Sequence, residues 1–251
     1  AKNKPTYDKF GVKSVFQGGE KHEVSGVSFN ATYNYEESLG KQATRVVSCN
    51  TTALARVLGS IHRAFGIRKA VAFIVRRAAD VWESHKAGVM NTVVPELHVP
   101  SHHGPDLRTI IKDLNVTTLA AKGAHNLYHM HSAVVFLEKR VGRGDVMEVL
   151  EDAHRVVLIS GRDGVAALNS IFELSRDLGR SRGDLYEIPV WEESITVGPD
   201  GEIYLMWATP NESNVVPENV DAIRALTELE TDWERSVERT DSSLGVLRSL
   251  Y

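Results

Sequence analysis

The residue best suited to covalent chemistry is Cys49, the one cysteine of the 251-residue chain. The run 45–47, Arg-Val-Val, predicts a buried strand that ends just before it, and a segment with helical spacing follows it. Backbone N–H groups and the dipole at the start of a helix favour a thiolate, the nucleophilic form of cysteine. Position alone leaves a second interpretation open, in which Cys49 is a small residue of the core.

A cysteine nucleophile also needs a base, and two histidines of one predicted strand are candidates. His129 and His131 alternate within the run 127–141, so both should face the same side of that strand. An imidazole with a pKa near neutrality suits proton transfer at physiological pH. Either residue can instead be an ordinary half-buried strand histidine.

Two further groups are suited to binding phosphate. Arg76 and Arg77 end a predicted strand, and we expect only one of them to face a given pocket, because adjacent strand residues point to opposite sides. His102, His103 and Gly104 lie in a proline-bounded loop whose backbone and imidazole N–H groups could hold a phosphate. A histidine pair can also bind a metal, but no third ligand accompanies it at helical or hairpin spacing, so we predict no metal site.

The composition indicates a globular protein and excludes several other classes. Apolar residues make up 42% and charged residues 25% of the chain. The net charge of −4 argues against a nucleic-acid partner. No apolar run approaches the roughly 20 residues that a membrane span needs. A single cysteine excludes an intrachain disulfide and a cysteine zinc cluster, and it fits the reducing cytosol.

The elements that must position these residues form a mixed α and β pattern. Leu54, Leu58, Ile61 and Phe65 form one face of a helix that Gly66 ends. Further helices are predicted over 106–113, 145–153 and 163–178. A last helix is predicted to begin at Pro217, with an apolar stripe of Ala222, Leu226, Leu229 and Trp233. Strands are predicted over 12–17, 67–77 and 156–160, and a hairpin over 194–208. The hairpin indicates a partly antiparallel sheet.

Seven motifs occur in the order and spacing of one known family. The segment 46–52, Val-Val-Ser-Cys-Asn-Thr-Thr, resembles the active-site segment of the archaeal type of phosphorylating glyceraldehyde-3-phosphate dehydrogenase. Similar motifs occupy 16–23, 34–38, 76–77 followed by 100–106, 178–182, 187–191 and 216–219. The resemblance runs from about Ala1 to about Trp233. The segment 122–126 departs from the family pattern, in which a Pro-Thr-Thr type of turn precedes the histidine-containing strand.

This resemblance implies an NAD- or NADP-dependent enzyme of glycolysis and gluconeogenesis. It would oxidise glyceraldehyde 3-phosphate and join inorganic phosphate to the product, giving 1,3-bisphosphoglycerate through a cysteine thiohemiacetal and thioester. The family assigns the nucleophile to Cys49 and the base to His129. By the same resemblance the substrate would contact Ser48, Cys49, Asn50, His102, His103 and Gly104. The cofactor would contact Gly19, Arg77 and Asn211. Asn211 stands where the family usually has a glutamine. A cytoplasmic homotetramer is implied; the choice between NAD and NADP and the subunit count do not follow from the sequence.

The resemblance also implies a division of the chain. Residues 1–48 would be the tail of a Rossmann cofactor-binding domain, with Gly18 and Gly19 close to the cofactor. Residues 49–216 would form an α+β catalytic domain with a mixed, largely antiparallel sheet, and 217–251 a C-terminal helix that returns to the cofactor domain. No Gly-x-Gly-x-x-Gly fingerprint occurs, so we expect an upstream segment to bind the adenosine and pyrophosphate.

Three other functions remain to be weighed. A related cysteine semialdehyde dehydrogenase of the same fold group would have to recognise a carboxylate or an amino group instead of a phosphate. A truncated, non-catalytic assembly module would explain the missing fingerprint but not the presence of Cys49, His129 and the histidine loop in one chain. A cysteine hydrolase or amidotransferase would need no nicotinamide, and the run of motifs argues against it.

Overall fold

The structure is a computed structural model that describes residues 2–17, 19–80 and 91–250. Gly18, half of the predicted Gly18–Gly19 cofactor contact, lies outside the described residues. The strands are β1 (Ser14–Gln17), β2 (Ser28–Phe29), β3 (Ala43–Val46), β4 (Ile67–Arg76), β5 (Val94–Pro95), β6 (Val116–Lys122), β7 (His129–Leu137), β8 (Val156–Ile159), β9 (Ile188–Trp191), β10 (Thr196–Val197) and β11 (Ile203–Thr209). The helices are α1 (Lys4–Lys9), α2 (Cys49–Phe65), α3 (His103–Leu107), α4 (Arg143–Asp152), α5 (Leu168–Asp177), α6 (Val216–Thr227) and α7 (Trp233–Leu244).

The strands form two sheets, and this fold is the predicted α/β type with a mixed sheet. A small parallel sheet has the order β1-β3-β2, with β3 pairing in parallel with both neighbours. A large sheet has the order β5-β6-β4-β7-β11-β9-β8, with β10 added on β11. In the large sheet β4 is parallel to β6 and β8 to β9, whereas β7 is antiparallel to both β4 and β11.

The two faces of the large sheet differ because side chains alternate along each strand. The inner face packs against α2 and α4 and forms the main core, with Ile74, Val135 and Trp207 fully buried. The opposite face exposes large apolar side chains at Phe73, Tyr204 and Met206. A second core joins the small sheet to the two C-terminal helices. None of the helices in the described ranges has both the length and the apolar character needed to cross a bilayer.

The helix after Cys49 forms as the sequence predicts. Helix α2 ends at Phe65, and Gly66 follows with a φ of 73°, a left-handed value that glycine adopts without strain. The side-chain oxygen of Ser48 accepts a hydrogen bond from the Thr51 N–H and so caps the first turn. The predicted long strand and hairpin correspond to β7 and to the pair β10–β11.

Three predicted helices differ from the observed ones. The single helix predicted from Pro217 is two helices, because Glu228 adopts a left-handed conformation with a φ of 54° and ends α6 there. Leu229, placed on the apolar stripe by the sequence, is therefore exposed. Helix α3 begins at His103 rather than at Asp106, and α5 begins at Leu168 rather than at Asp163.

A buried ionic cluster ties α2 to the C-terminal helices. The carboxylate of Glu218 lies 2.8 Å from the Arg56 guanidinium and 3.1 Å from that of Arg155, and it accepts the N–H of Ala31 at 2.8 Å. Burial raises the pKa of the Glu218 carboxyl, but the two guanidinium groups outweigh it and hold that pKa below its usual value. Removing one partner of such a pair leaves an uncompensated buried charge, so each member is needed for the fold.

Replacing Glu218 by Gln should therefore destabilise the protein. We expect a loss of about 3–5 kcal/mol in the free energy of unfolding, because Arg56 would be left without its carboxylate and Arg155 would lose one of its three. Lys112→Met is the matched control, because the Lys112–Glu37 pair is exposed, and it should cost about 0–1 kcal/mol. Urea unfolding measures both variants, and equal losses would contradict a structural role for the buried cluster.

Candidate active site

One cavity of about 420 Å³ brings together most of the residues that the sequence singles out. It lies where the N-terminus of α2 meets one end of β4, β6 and β7. Of the predicted site residues, all but Gly104 line it: Gly19, Ser48, Cys49, Asn50, Arg77, His102, His103, His129 and Asn211. Residues far apart in sequence therefore converge on one side of Cys49.

Cys49 is the first residue of α2 and is only partly exposed in the cavity. Burial raises the pKa of its thiol to about 11, although the charges of Arg77 and Arg76 and the Asn50 N–H act in the opposite direction. The thiolate predicted from the helix N-terminus is thus not the resting form in the absence of ligands. Desolvation outweighs the favourable helix end, so the thiol must lose its proton during the reaction.

The ring of His129 is held by the main chain of the neighbouring strand end. The backbone N–H of Arg77 donates a hydrogen bond of 2.9 Å to Nδ1 of His129. A backbone amide can only donate, so the neutral ring carries its hydrogen on Nε2. Burial, with His131, Arg77 and Arg76 nearby, holds the pKa of His129 well below its usual value. The resting ring is therefore a neutral donor at Nε2, and the base role assigned to His129 from the sequence stays a prediction.

Asn50 is fixed by two other histidines. Its Oδ1 lies 2.8 Å from Nε2 of His131, and its Nδ2 lies 3.3 Å from Nε2 of His103. Since the amide oxygen accepts and the amide nitrogen donates, His131 must be protonated at Nε2 and His103 must be unprotonated there. Burial lowers the pKa of His131 to about 3 and, helped by His102, that of His103 to about 2, so both rings stay neutral.

The histidine loop uses its polar groups within the protein. Nδ1 of His103 lies 3.0 Å from the Ser101 hydroxyl, so both ring nitrogens of His103 are occupied. The N–H of Gly104 donates to the Thr118 hydroxyl at 2.9 Å. In this arrangement neither His103 nor Gly104 has a free donor for a phosphate. His102 is largely exposed and lies 3.6 Å from Glu96.

Both arginines at the end of β4 line the cavity, which corrects the prediction that only one would. Strand alternation ends at Arg76, the last residue of β4, and therefore does not apply to Arg77. The Arg77 guanidinium pairs with Asp80 and lies 2.8 Å from Glu212. The Arg76 guanidinium lies 3.8 Å from the Glu96 carboxylate, and its buried Nε has no hydrogen-bond partner among the described residues.

The sequence analysis missed several residues of the site. Lys122 lines the cavity beside Arg76, and Asp80 and Glu212 neutralise Arg77. Lys122 belongs to the segment 122–126, which departs from the family pattern. That departure marked the turn before β7 as unusual, but it did not indicate a role for the charge of Lys122. Only the pairing of β4 with β6, which sets Arg76 opposite Lys122, reveals that the two cations are neighbours.

Comparisons with known proteins identify the family to which this chain belongs. The family described as "Glyceraldehyde 3-phosphate dehydrogenase, C-terminal domain" matches residues 48–194. The glyceraldehyde-3-phosphate dehydrogenase of Methanothermus fervidus is 49% identical over 249 residues, covering 99% of this chain and 73% of the relative. That of Methanopyrus kandleri is 51% identical over 251 residues, covering 99% and 71%. The chain belongs to the glyceraldehyde-3-phosphate dehydrogenase family.

The raised pKa of Cys49 predicts how the thiol responds to pH. At pH 7 the ligand-free protein should react with iodoacetamide more slowly than a free thiol of pKa about 8.5, because only the thiolate reacts. The rate should keep rising above pH 9, since the folded pKa is about 11. Mass spectrometry gives the rate without ambiguity, because the chain has no other cysteine. A rate that levels off below pH 8 would contradict the raised pKa.

Proposed function

We propose that the protein is an NAD- or NADP-dependent phosphorylating glyceraldehyde-3-phosphate dehydrogenase, acting in glycolysis and gluconeogenesis. The observation that carries the proposal is the convergence of Cys49 and His129 on one cavity, in a chain of this family. The reaction needs a nucleophile for the aldehyde carbon, a donor for the aldehyde oxygen and positive charge for phosphate. Cys49, His129 and the cations at the ends of β4 and β6 match these needs.

A nicotinamide fits the residues beside Cys49. The Oδ1 atom of Asn211 is buried without a hydrogen-bond partner in the described structure, and Asn211 lines the cavity. A carboxamide N–H would satisfy this oxygen, whereas an empty acceptor costs free energy. Gly19 offers open backbone at the same cavity, because a side chain added there would meet no atom within 4 Å. When bound, the nicotinamide accepts a hydride from the substrate.

In the first step the Cys49 sulfur attacks the aldehyde carbon. The S–C bond forms, the carbonyl π electrons move to oxygen, and the thiol proton passes through solvent to that oxygen, which gives a neutral thiohemiacetal. The Nε2–H of His129 donates a hydrogen bond to this oxygen as its negative charge develops. This role follows from the Arg77 N–H on Nδ1, which keeps the hydrogen on Nε2.

The later steps use the same groups. The hydride would leave to the bound nicotinamide and the hydroxyl proton to solvent, which would leave a thioester on Cys49. Inorganic phosphate attacks the thioester carbon, the C–S bond breaks, and 1,3-bisphosphoglycerate leaves with the thiol restored. His129 again donates to the oxygen of the tetrahedral intermediate. Ser48, Asn50 and the loop of His102, His103 and Gly104 would shape the substrate side of the cavity, with Asn50 and His103 acting through the hydrogen bonds that fix them.

We place the cofactor side on Gly19, Arg77 and Asn211. Arg77 would act there through its backbone N–H and through a guanidinium already held by two carboxylates. We divide the chain, as the resemblance suggests, into residues 1–48 of a cofactor domain, the catalytic domain 49–216 and the C-terminal part 217–251. The second core, which joins Phe29 and Val46 to Ala225 and Val237, supports this division.

We also propose a homotetramer of the cytosol. The exposed apolar side chains of Phe73, Tyr204 and Met206 on the outer face of the large sheet support self-association. The single cysteine, without a disulfide, supports a reducing compartment.

Three variants test the proposed chemistry in the full-length protein. Cys49→Ser should abolish oxidation of glyceraldehyde 3-phosphate, because a serine hydroxyl is a much weaker nucleophile than a cysteine thiol at neutral pH. His129→Gln should retain much more activity than His129→Ala, because glutamine can still donate a hydrogen bond but cannot act as a base. A donor to the developing oxyanion is worth roughly 100- to 1000-fold in kcat.

The absorbance of NAD(P)H measures the turnover of each variant. Lys112→Met is the control, and its turnover should equal that of the wild type. Normal turnover by Cys49→Ser would refute the cysteine mechanism. Equal losses in His129→Gln and His129→Ala would show that His129 is a base. A wild-type protein without turnover would favour a non-catalytic assembly module.

A further inference from the structure

A chain of hydrogen bonds joins β7 to β6 through Asn50. Nε2 of His131 lies 2.8 Å from Oδ1 of Asn50, and Nδ2 of Asn50 lies 3.3 Å from Nε2 of His103. Nδ1 of His103 lies 3.0 Å from the hydroxyl of Ser101, which donates to the hydroxyl of Thr118 at 2.8 Å. All five side chains are buried, and of these five only Asn50 and His103 line the cavity. Two residues of the site are therefore held by three that lie outside it.

The direction of these bonds is fixed from the Thr118 end. The Thr118 hydroxyl donates to the carbonyl oxygen of Ser101 at 3.0 Å and accepts from the N–H of Gly104 at 2.9 Å. Because its one hydrogen is used, the Ser101 hydroxyl must donate to it and accept from Nδ1 of His103. A neutral ring with its hydrogen on Nδ1 can only accept at Nε2. His103 therefore faces Asn50 as an acceptor.

This acceptor allows the carboxamide of Asn50 only one orientation. Its NH2 group must face His103, so its oxygen faces His131, which must carry a hydrogen on Nε2. A turned carboxamide would set its oxygen against Nε2 of His103, which is also an acceptor. Nδ2 of Asn50 carries a second hydrogen, for which the residues in the described ranges provide no acceptor. That N–H is available to a ligand in the cavity.

We propose that His131 is a positioning residue for the reaction, an inference that rests on the proposed function. By holding the oxygen of Asn50, His131 keeps the amide nitrogen as the atom that meets the reacting oxygen of the substrate. The second N–H of Asn50 then donates to that oxygen together with the Nε2–H of His129, as negative charge develops in the transition state. A donor that is oriented in advance needs no rearrangement during the reaction.

The contacts of His131 fit this role better than a role in core packing. Its ring packs at the edge of the Trp207 ring, with 5.3 Å between the centroids, a contact that phenylalanine would also make. Its Nδ1 is buried without a hydrogen-bond partner in the described structure, which costs free energy. The N–H donated to Asn50 therefore accounts for a histidine here. Burial lowers the pKa of His131 to about 3, so the ring is neutral and keeps this tautomer near pH 7.

The kinetic test compares two substitutions in the full-length enzyme. His131→Gln keeps an N–H donor at the place of Nε2, whereas His131→Phe keeps a ring and has no donor. We expect His131→Phe to lower kcat for glyceraldehyde 3-phosphate roughly 100-fold, the lower end of the effect of one donor to a developing oxyanion, with a much smaller change in KM. His131→Gln should restore most of the loss. Thr44→Val is the control, because it removes a buried hydrogen bond of 2.8 Å to Ser38 in the small sheet, and its kcat should equal that of the wild type.

A double-mutant cycle tests whether His131 acts through Asn50. Asn50→Ala removes the group that is held, so His131→Phe should cause little further loss of kcat in that background. Losses that multiply would show that His131 acts by another route and would overturn the proposal. Equal kcat values for His131→Phe and the wild type, or equal losses in His131→Phe and His131→Gln, would overturn it as well.

A second measurement needs neither cofactor nor turnover, and it separates this role from the proposed function. Solid-state nitrogen NMR of histidine-labelled protein shows which ring nitrogen carries the hydrogen, and the signal lost in His131→Gln identifies His131. We expect a hydrogen on Nε2 and a shift of that signal in Asn50→Ala, whereas a hydrogen on Nδ1 would overturn the proposal. A wild-type protein without turnover would refute the proposed function, and the spectrum would still decide whether His131 holds Asn50.

Discussion

The position of Cys49 depends on how the protein satisfies one buried guanidinium, that of Arg56 in the middle of α2. Its nitrogen atoms donate to the carbonyl oxygens of Tyr186 and Asn214 at 2.7 and 2.8 Å and to the carboxylate of Glu218. A guanidinium removed from water is tolerated only with such partners. Because the partners come from separate parts of the chain, α2 cannot slide or rotate without breaking them, and the cysteine at its first residue stays fixed.

The same cluster extends through the C-terminal helices. Arg155 lies 2.7 Å from Asp221 and 2.7 Å from Asp241, and it shares Glu218 with Arg56. Asn214 adds a direct contact, donating from its side chain to the carbonyl oxygen of Cys49 at 2.9 Å. The residues after β11 therefore hold the nucleophile in place as well as lining its cavity. Through Glu218 the C-terminal part is coupled to Arg56 and Arg155 as well as to Ala31.

Desolvation decides the chemistry of the resting site. It keeps the Cys49 thiol protonated and His129, His131 and His103 neutral, although positive charges and a helix N-terminus surround the thiol. Neutral histidines suit this arrangement, because a neutral ring has one nitrogen that donates a hydrogen bond and one that accepts. The network holds Asn50 and leaves the Nε2–H of His129 for the reacting oxygen.

The sequence predicted the elements whose bounds depend on neighbouring residues of the chain. It did not predict the contacts between residues that are far apart in sequence. The apolar face ending at Phe65 and Gly66 predicted α2, and alternation predicted that His129 and His131 share a face. The end of α6 at Glu228 depends on one left-handed residue that no pattern marks. The occupied donors of His103 and the pairing of Arg76 with Lys122 depend on strand neighbours, so composition and spacing could not reveal them.

The central claim, covalent catalysis at Cys49, is tested most directly by stopping the reaction before phosphate attack. The full-length protein is mixed with glyceraldehyde 3-phosphate and NAD or NADP in the absence of inorganic phosphate. We expect a burst of about one reduced cofactor per chain and an intact mass raised by one phosphoglyceroyl group, located on Cys49 by peptide mapping. Steady oxidation of the aldehyde with no burst and an unmodified Cys49 would contradict it.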